Sequence, residues 1–399
     1  MSDQSAPQVT PYPSVLPTPP PSYGPGGGPE PQRSRRPTWA GVTAVAAAAA
    51  LAASVATAGL TGAFADTEAT APSFDALGRQ TINIPVSDGE ADKADWRLVA
   101  AAVRESVVAI TVTTRTGSGE GSGVIIDSGG LVLTNDHVVS NGGSGSITVS
   151  LADGRLYEAT LLGTDPTTDI AVISLVDAPG DLVAAELGDS ESVDVGQAVM
   201  AVGNPLGLDT TVTTGIVSAV DRPVSTWDAG SGAAVVTNAI QIDAAVNPGN
   251  SGGPLFDAAG RVIGITSSIA TVSGSTSGSI GLGFAIPVNQ VQLVADQLVS
   301  TGTVEHAFLG VSLADGTATA AGTTRRGAVI RSVTSGTPAA TDLQPGDVVV
   351  GIDGSAVGGA ESLTGYVRQH AGGDEVVLTI VRSGAVLDVT LTLATAPPA

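Results

Sequence analysis

The sequence predicts a mainly β protein in which two antiparallel barrels are followed by a smaller third unit. Two observations carry this reading. From Ser106 onward, short apolar runs alternate with glycine-rich turns at roughly ten-residue spacing, the pattern of many short strands. The core must also be built from Val, Ile, Leu and Ala, because 399 residues include 52 Gly but only five Phe, four Tyr and three Trp. A chain of this length has room for two or three domains of ordinary size.

Residues 1–37 hold eleven of the 24 prolines around a G-P-G-G-G-P centre. Such a segment buries too little apolar surface to fold, so residues 1–38 read as a disordered cytoplasmic tail. Arg33, Arg35 and Arg36 then precede a stretch without charge from Pro37 to Ala65. Residues 39–64 are long enough for a single transmembrane helix. With Asp66 and Glu68 beyond it, the positive-inside rule puts the N-terminus in the cytoplasm and the folded domains outside, anchored at the cell membrane. The alternative is a secretory signal cleaved after Ala63-Phe64-Ala65. Residues 65–95 are polar without a period and read as a linker.

The formal net charge is −22; the tail to residue 38 carries +1, leaving −23 for the remainder. A surface this acidic repels phosphate backbones, which excludes nucleic acid as a partner. There is no cysteine, hence no thiol nucleophile, thiolate metal site or disulfide. With three scattered histidines and no H-E-x-x-H motif, no metal and no cofactor are expected.

Asp95 is placed to cap a short helix whose apolar stripe is Trp96, Val99 and Val103. The chemistry centres on N-P-G-N-S-G-G-P-L, Asn247–Leu255. Glycine serves where a backbone turns sharply, and proline stiffens the turn. A serine at the tip of such a turn has an exposed hydroxyl and an N–H outside any ladder, as a nucleophile and half an oxyanion hole require. The bland reading is a tight hairpin loop. A base and an acid stand upstream. His137 follows the apolar run Leu131-Val132-Leu133, at the end of a buried strand, whereas His306 and His370 lie in polar, glycine-containing surroundings and read as satisfied surface histidines. Asp169 opens the run Ile170-Ala171-Val172-Ile173, where a carboxylate can be desolvated and aimed at an imidazole. Asp136 gets no catalytic role, because strand neighbours point to opposite faces.

The order His137, Asp169, Ser251 is that of the chymotrypsin-type triad. The segments G-S-G-V-I-I-D, L-T-N-D-H-V-V, T-D-I-A-V-I-S-L, V-G-N-P-L-G-L, T-V-T-T-G-I-V-S-A, D-A-A-V-N-P-G-N-S-G-G-P-L and G-L-G-F-A-I-P occur in order. Together they resemble the HtrA (DegP/DegS-like) serine proteases, from about Val103 to the C-terminus.

The resemblance implies a chymotrypsin-like protease domain of two six-stranded antiparallel barrels over residues 96–300, followed by a PDZ domain over 306–395. It implies that catalytic His137, Asp169 and Ser251 meet between the barrels, with an oxyanion hole from the N–H groups of Gly249 and Ser251. Flipping the Pro248–Gly249 or the Gly249–Asn250 peptide, which glycine allows, would leave that hole unformed. Ala245, six residues before Ser251, falls at the base of the specificity pocket; with Ile265 and Ala285 it suits small or medium apolar residues. The Ser267–Ser279 loop is a gating candidate. Helical period returns at Val288, Val291, Val294 and Leu298. After a hinge at Ser300–Glu305, F-L-G-V at Phe308–Val311 resembles a PDZ carboxylate-binding loop, with Leu309, Gly310 and Val311 as a nest for peptide C-termini beside an exposed strand edge. Asp342 stands where the family has glycine, so a strained left-handed residue is expected there. Implied partners are unfolded or misfolded protein substrates, C-terminal peptides, and a homotrimer.

Overall fold

The computed structural model describes residues 94–396 apart from 116, 141–144, 206–209, 228–233, 268–278 and 280. The expected tail, membrane span and most of the linker lie outside the described residues. Among the described residues no helix is long and apolar enough to cross a membrane.

Helix α1 (Trp96–Val103) is capped by Asp95, whose carboxylate accepts the Arg97 N–H at 3.1 Å, and it buries Val99 and Val103 as its stripe predicts. Six strands follow: β1 (Val107–Thr113), β2 (Ser118–Ile125), β3 (Leu131–Thr134), β4 (Ser146–Ser150), β5 (Leu156–Asp165) and β6 (Ile170–Leu175). They close into a barrel in the order β1-β2-β3-β6-β5-β4. The run Ile170–Leu175 is apolar at nearly every position because both strand faces are covered. Ala171, Ile173 and Leu175 fill the barrel, while Ile170 and Val172 face outward into a second cluster. Leu133 and Val124 do the same opposite Val132 and Ile125.

That outer cluster is the seam with the next sheet. Its strands are β7 (Glu186–Leu187), β8 (Ala198–Gly203), β9 (Thr211–Trp227), β10 (Ala234–Ile242), β11 (Pro254–Phe256), β12 (Arg261–Ser267) and β13 (Gly283–Pro287). Their order is β11-β8-β9-β10-β13-β12-β7, and β11 also pairs with β12. The β11–β12 pairing brings six of these strands back on themselves, and β7 adds in parallel along β12, so this sheet has seven strands where the family resemblance implies six. Val199, Ala201, Val217, Ile240 and Leu255 fill the interior; Met200, Val202, Phe256 and Val262 point to the seam.

Two more helical segments complete this part of the chain. His137 lies on the helical turn α2 (Asp136–Val139) after β3, not on a strand, so opposite strand faces do not separate it from Asp136. Helix α3 (Val288–Thr301) buries Val288, Val291, Val294, Ala295 and Leu298 and stops at Gly302, whose φ of 76° ends it in the left-handed conformation. The helix therefore includes the first two residues of the expected hinge.

The third unit comprises β14 (Ala307–Phe308), β15 (Val311–Ala320), β16 (Thr323–Val333), α4 (Ala339–Asp342), β17 (Val348–Ile352), β18 (Ser355–Ala356), α5 (Ala360–Val367), β19 (Glu375–Arg382), β20 (Ala385–Thr392) and β21 (Ala394–Thr395). The sheet runs β15-β16-β17-β19-β20, leaving β15 at an edge. Asp342 ends helix α4 and does not take a positive φ, so the left-handed strain expected there is absent. Its C=O instead accepts from Arg382, which also bridges both carboxylate oxygens of buried Asp347 at 2.7 Å.

Phe256 is a fully buried side chain at the seam. Phe256→Ala should cost about 3–5 kcal/mol by lost transfer energy plus a cavity between two sheets that cannot collapse together. Denaturant unfolding measures this, and a loss below about 1 kcal/mol would mean that the seam repacks freely.

Candidate active site

The acid is set before the base. Asp169 precedes β6 with φ 59°, a left-handed conformation that Asp tolerates better than most residues. Its backbone C=O accepts Asn135 Nδ2 at 2.8 Å, which ties the turn before β6 to the end of β3. The carboxylate, 3% exposed, accepts the His137 N–H at 3.1 Å and faces His137 Nδ1 at 2.8 and 3.0 Å. Ser267 Oγ adds a third donor at 2.9 Å. A carboxylate held by Nδ1 places the ring proton there and leaves Nε2 as the acceptor.

The nucleophile turn comes from the other barrel. Asn250 N–H donates to Asn247 C=O at 3.0 Å, and Gly249 has φ 97°. With Pro248 second and glycine third, this is a type II turn. Type I and type II turns differ by a flip of the central peptide, here Pro248–Gly249. Among the described residues the Gly249 N–H has no hydrogen-bond partner. The Gly249 C=O accepts Ser122 Oγ at 2.6 Å. A Cβ at Gly249 would stand 2.6 Å from Pro205 Cβ, so glycine is needed for space as well as for φ. Ser251 is 3% exposed, and its C=O accepts the Ser122 N–H at 2.8 Å.

The other predicted residues separate. Ile265 is fully buried within the seam cluster. Ala285, also fully buried, shares with Asp169 and Ser267 the wall of a small apolar recess. Ala245 is half-buried, with its C=O held by Thr213 Oγ1 at 2.9 Å. In the third unit Leu309 is buried, Gly310 has φ 80°, and Val311 opens edge strand β15. The N–H groups of Leu309 and Gly310 have no partner among the described residues, as a nest requires.

Sequence reading missed several positions. Ser267 was assigned to the loop, yet it ends β12 on the catalytic-type carboxylate. The loop's other end is also tied down, by Ser279 N–H to Asn247 Oδ1 at 2.8 Å. His306 is not a surface histidine: its Nε2 lies 3.0 Å from Asp165 Oδ1 and 2.7 Å from Thr167 Oγ1. Arg368, just after α5, donates to the C=O groups of Thr167 and Val236 at 3.1 and 3.0 Å.

The comparisons agree with this geometry. Residues 121–265 match the trypsin-like peptidase domain model, and residues 307–393 match the PDZ domain model. The putative serine protease HhoA of Synechocystis sp. is 38% identical over 287 residues, 69% of this chain and 70% of that protein. The chain belongs to the HtrA family. The serine protease PepD of Mycobacterium tuberculosis is 44% identical over 293 residues, covering 70% of this chain and 62% of PepD. A probable periplasmic DegP-like endoprotease of Brucella suis is 41% identical, with 53% of its length covered. The chain thus spans 62% and 53% of the length of these two relatives. The HtrA-type protease AlgW, solved with a tripeptide, superposes with a TM-score of 0.56 at 33% identity, over 75% of this chain and 97% of AlgW.

The turn that carries Asp169 has its own support. Burial alone would raise the pKa of Asp165, but hydrogen bonds and charge from His306, with hydroxyls from Thr168 and Thr167, outweigh it and hold the carboxyl below its usual range. A lowered folded pKa adds stability that is present above the unfolded value, near 3.9, and lost as pH falls through the folded one. Asp165→Asn should therefore destabilise the protein at about pH 5 and by progressively less below about pH 4. Denaturant unfolding across that range measures it, and a difference that grew toward acid would contradict the sign.

Proposed function

We propose that this HtrA-family protein is a serine endopeptidase that cleaves unfolded or damaged proteins outside the cytoplasm through an acyl-enzyme. One observation carries the reading: a buried carboxylate holds both the backbone and Nδ1 of His137, while the Gly249 N–H of a type II turn has no hydrogen-bond partner among the described residues. Ser251 Oγ attacks the scissile carbonyl and His137 Nε2 takes its proton, then returns it to the leaving amine. Asp169 keeps the imidazole oriented and stabilises the imidazolium. The N–H groups of Gly249 and Ser251 receive the oxyanion, and losing one such donor typically lowers kcat on the order of 10²- to 10³-fold. Water then resolves the acyl-enzyme by the same route. Ala245 carries no charge that would select Lys or Arg, which favours small apolar residues before the cleaved bond.

The PDZ domain is proposed to bind peptide C-termini at Leu309, Gly310 and Val311 and to govern the protease. Support comes from α5, which lies on β9 and β10 of the protease. Asn238 Nδ2 donates to Ser362 C=O at 3.0 Å, and a Cβ at Gly365 would sit 2.6 Å from Asn238 Cγ. Ser225 Oγ donates to Glu361 at 2.7 Å. Arg368 completes the contact on the turn two residues before Asp169. Residues 39–64 are proposed as the membrane anchor, on the strength of the arginines before an uncharged run. Assembly as a trimer is carried by the family resemblance alone.

Ser251→Ala should abolish casein hydrolysis and fluorophosphonate labelling, and His137→Ala should do nearly the same, with the double variant little worse. Full hydrolysis by Ser251→Ala would remove Ser251 as the nucleophile, whereas wild type that neither cleaves casein nor takes the label would leave a peptide-binding adaptor. Arg368→Ala should change hydrolysis of a short chromogenic peptide roughly 5- to 150-fold, the usual range of coupling between sites. Identical rates, with and without C-terminal peptides, would reduce the PDZ domain to substrate capture.

A further inference from the structure

We infer that Ser122, on β2 of the first barrel, is a positioning residue for the oxyanion hole of the second. The inference rests on the reading of Gly249 and Ser251 as the two hole donors. Ser122 is fully buried, and every polar group it has is used at the seam. Its N–H donates to the Ser251 C=O at 2.8 Å, and its Oγ donates to the Gly249 C=O at 2.6 Å. One residue therefore holds the carbonyls of both residues whose N–H groups face the reaction. The same Oγ accepts the Asn204 N–H at 2.9 Å, and the Ser122 C=O accepts Thr134 Oγ1 at 2.8 Å.

The hydroxyl bridges three segments that no strand pairing joins directly: β2, the G-N-P turn at Gly203–Pro205, and the nucleophile turn. This gives the G-N-P motif a role, since Asn204 is anchored on Ser122 and Pro205 packs against Gly249. Both type I and type II turns keep the Asn250 N–H to Asn247 C=O bond, so that bond cannot choose between them. The choice is made at the Pro248–Gly249 peptide, and the Gly249 C=O held by Ser122 limits how its flanking bonds can rotate. Without the hydroxyl, two partners are left unpaired. Asn204 is buried, whereas Gly249 is half-exposed, so the strain is relieved by turning Gly249 toward water. That rotation moves a hole donor while leaving the substrate cleft and the His137–Asp169 pair in place.

The test is steady-state kinetics on a short chromogenic peptide with full-length wild type, Ser122→Ala and Ser122→Cys, together with thermal melts and binding of a peptide boronate that mimics the tetrahedral oxyanion. Ser122→Ala keeps the backbone bond to Ser251 and loses only the Oγ bonds. It should lower kcat roughly 10- to 100-fold with KM within about threefold, and weaken the boronate by a similar factor. Ser122→Cys, which keeps the shape but offers only a weak donor and acceptor, should fall between. Wild-type kcat in either variant overturns the inference, as does a loss confined to KM or a kcat loss that merely follows a lost cooperative melt in both variants. Absence of hydrolysis by wild type itself would instead overturn the protease reading, and this inference with it.

Discussion

Ser251 and His137, the proposed nucleophile and base, belong to different barrels, so everything depends on how closely two backbones approach across the seam. The approach is set at Gly252. With φ 82°, it presses its α-carbon against the Ser122 C=O and the Thr134 hydroxyl, and any Cβ would overlap both. Its own N–H goes the other way, to Thr266 C=O at 2.9 Å on β12. The nucleophile turn is thereby held between a strand of each barrel, and the Ser251 position follows from two sets of backbone bonds. Backbone bonds suit this task because they carry no rotamer freedom to lose.

The same constraint explains the composition. A seam between two closed sheets requires that strands be apolar on both faces, which selects β-branched residues of moderate size. Val107, Val124, Val172 and Val202 fill the seam, whereas Phe256 is its one large buried aromatic among the described residues. Helices α1 and α3 close it with Val99, Val103, Val291 and Leu298. A rigid, finely divided core of this kind keeps its two halves in register, and the Asn135 bond to Asp169 then carries that register to the acid.

Much of this was legible in the sequence because the chemistry demands special backbone at local motifs. N-P-G-N-S-G-G-P could be read as a turn since proline and glycine each answer a particular dihedral, and Gly249 at φ 97° confirms it. The stripe on α3 and the cap at Asp95 were equally local. What escaped was long-range. Ser122 and Gly249 are 127 positions apart, His306 and Asp165 are 141, and Arg368 and Thr167 are 201. Nothing in the neighbourhood of a buried serine or a hinge histidine announces such a partner. Asp136 and Asp342 were misread for a different reason, namely that short helical turns were taken for a strand and a left-handed residue. Ile265, near Ser251 in sequence, belongs to the seam cluster.

The PDZ helix α5 sits where control over the acid turn is physically possible. At its start, Ala360 N–H donates to Asp315 Oδ1 at 2.8 Å, so the helix is tied to the edge strand beside which a peptide would add. On its opposite flank Tyr366 meets Asp221 of β9; burial and that carboxylate push the phenol up to about 12, which keeps it a neutral hydrogen-bonding group. Arg368 then reaches Thr167, and Thr167 and Thr168 bind the Asp165 carboxylate that anchors the turn to Asp169. A peptide on β15 can bias the protease only by its different affinity for arrangements of α5 on this surface, and substrate must then alter peptide affinity by the same factor. Because the turn bonds through Arg368 to a backbone carbonyl, displacement of α5 would leave the Thr167 C=O without that donor and loosen the segment that fixes Asp169. On the proposed function, coupling of this form would act on the orientation of His137 and would leave the Gly249 turn under the separate hold of Ser122. Arg368 thus reaches the turn before Asp169 from the PDZ domain, whereas Gly249 is held by Ser122 of the first barrel.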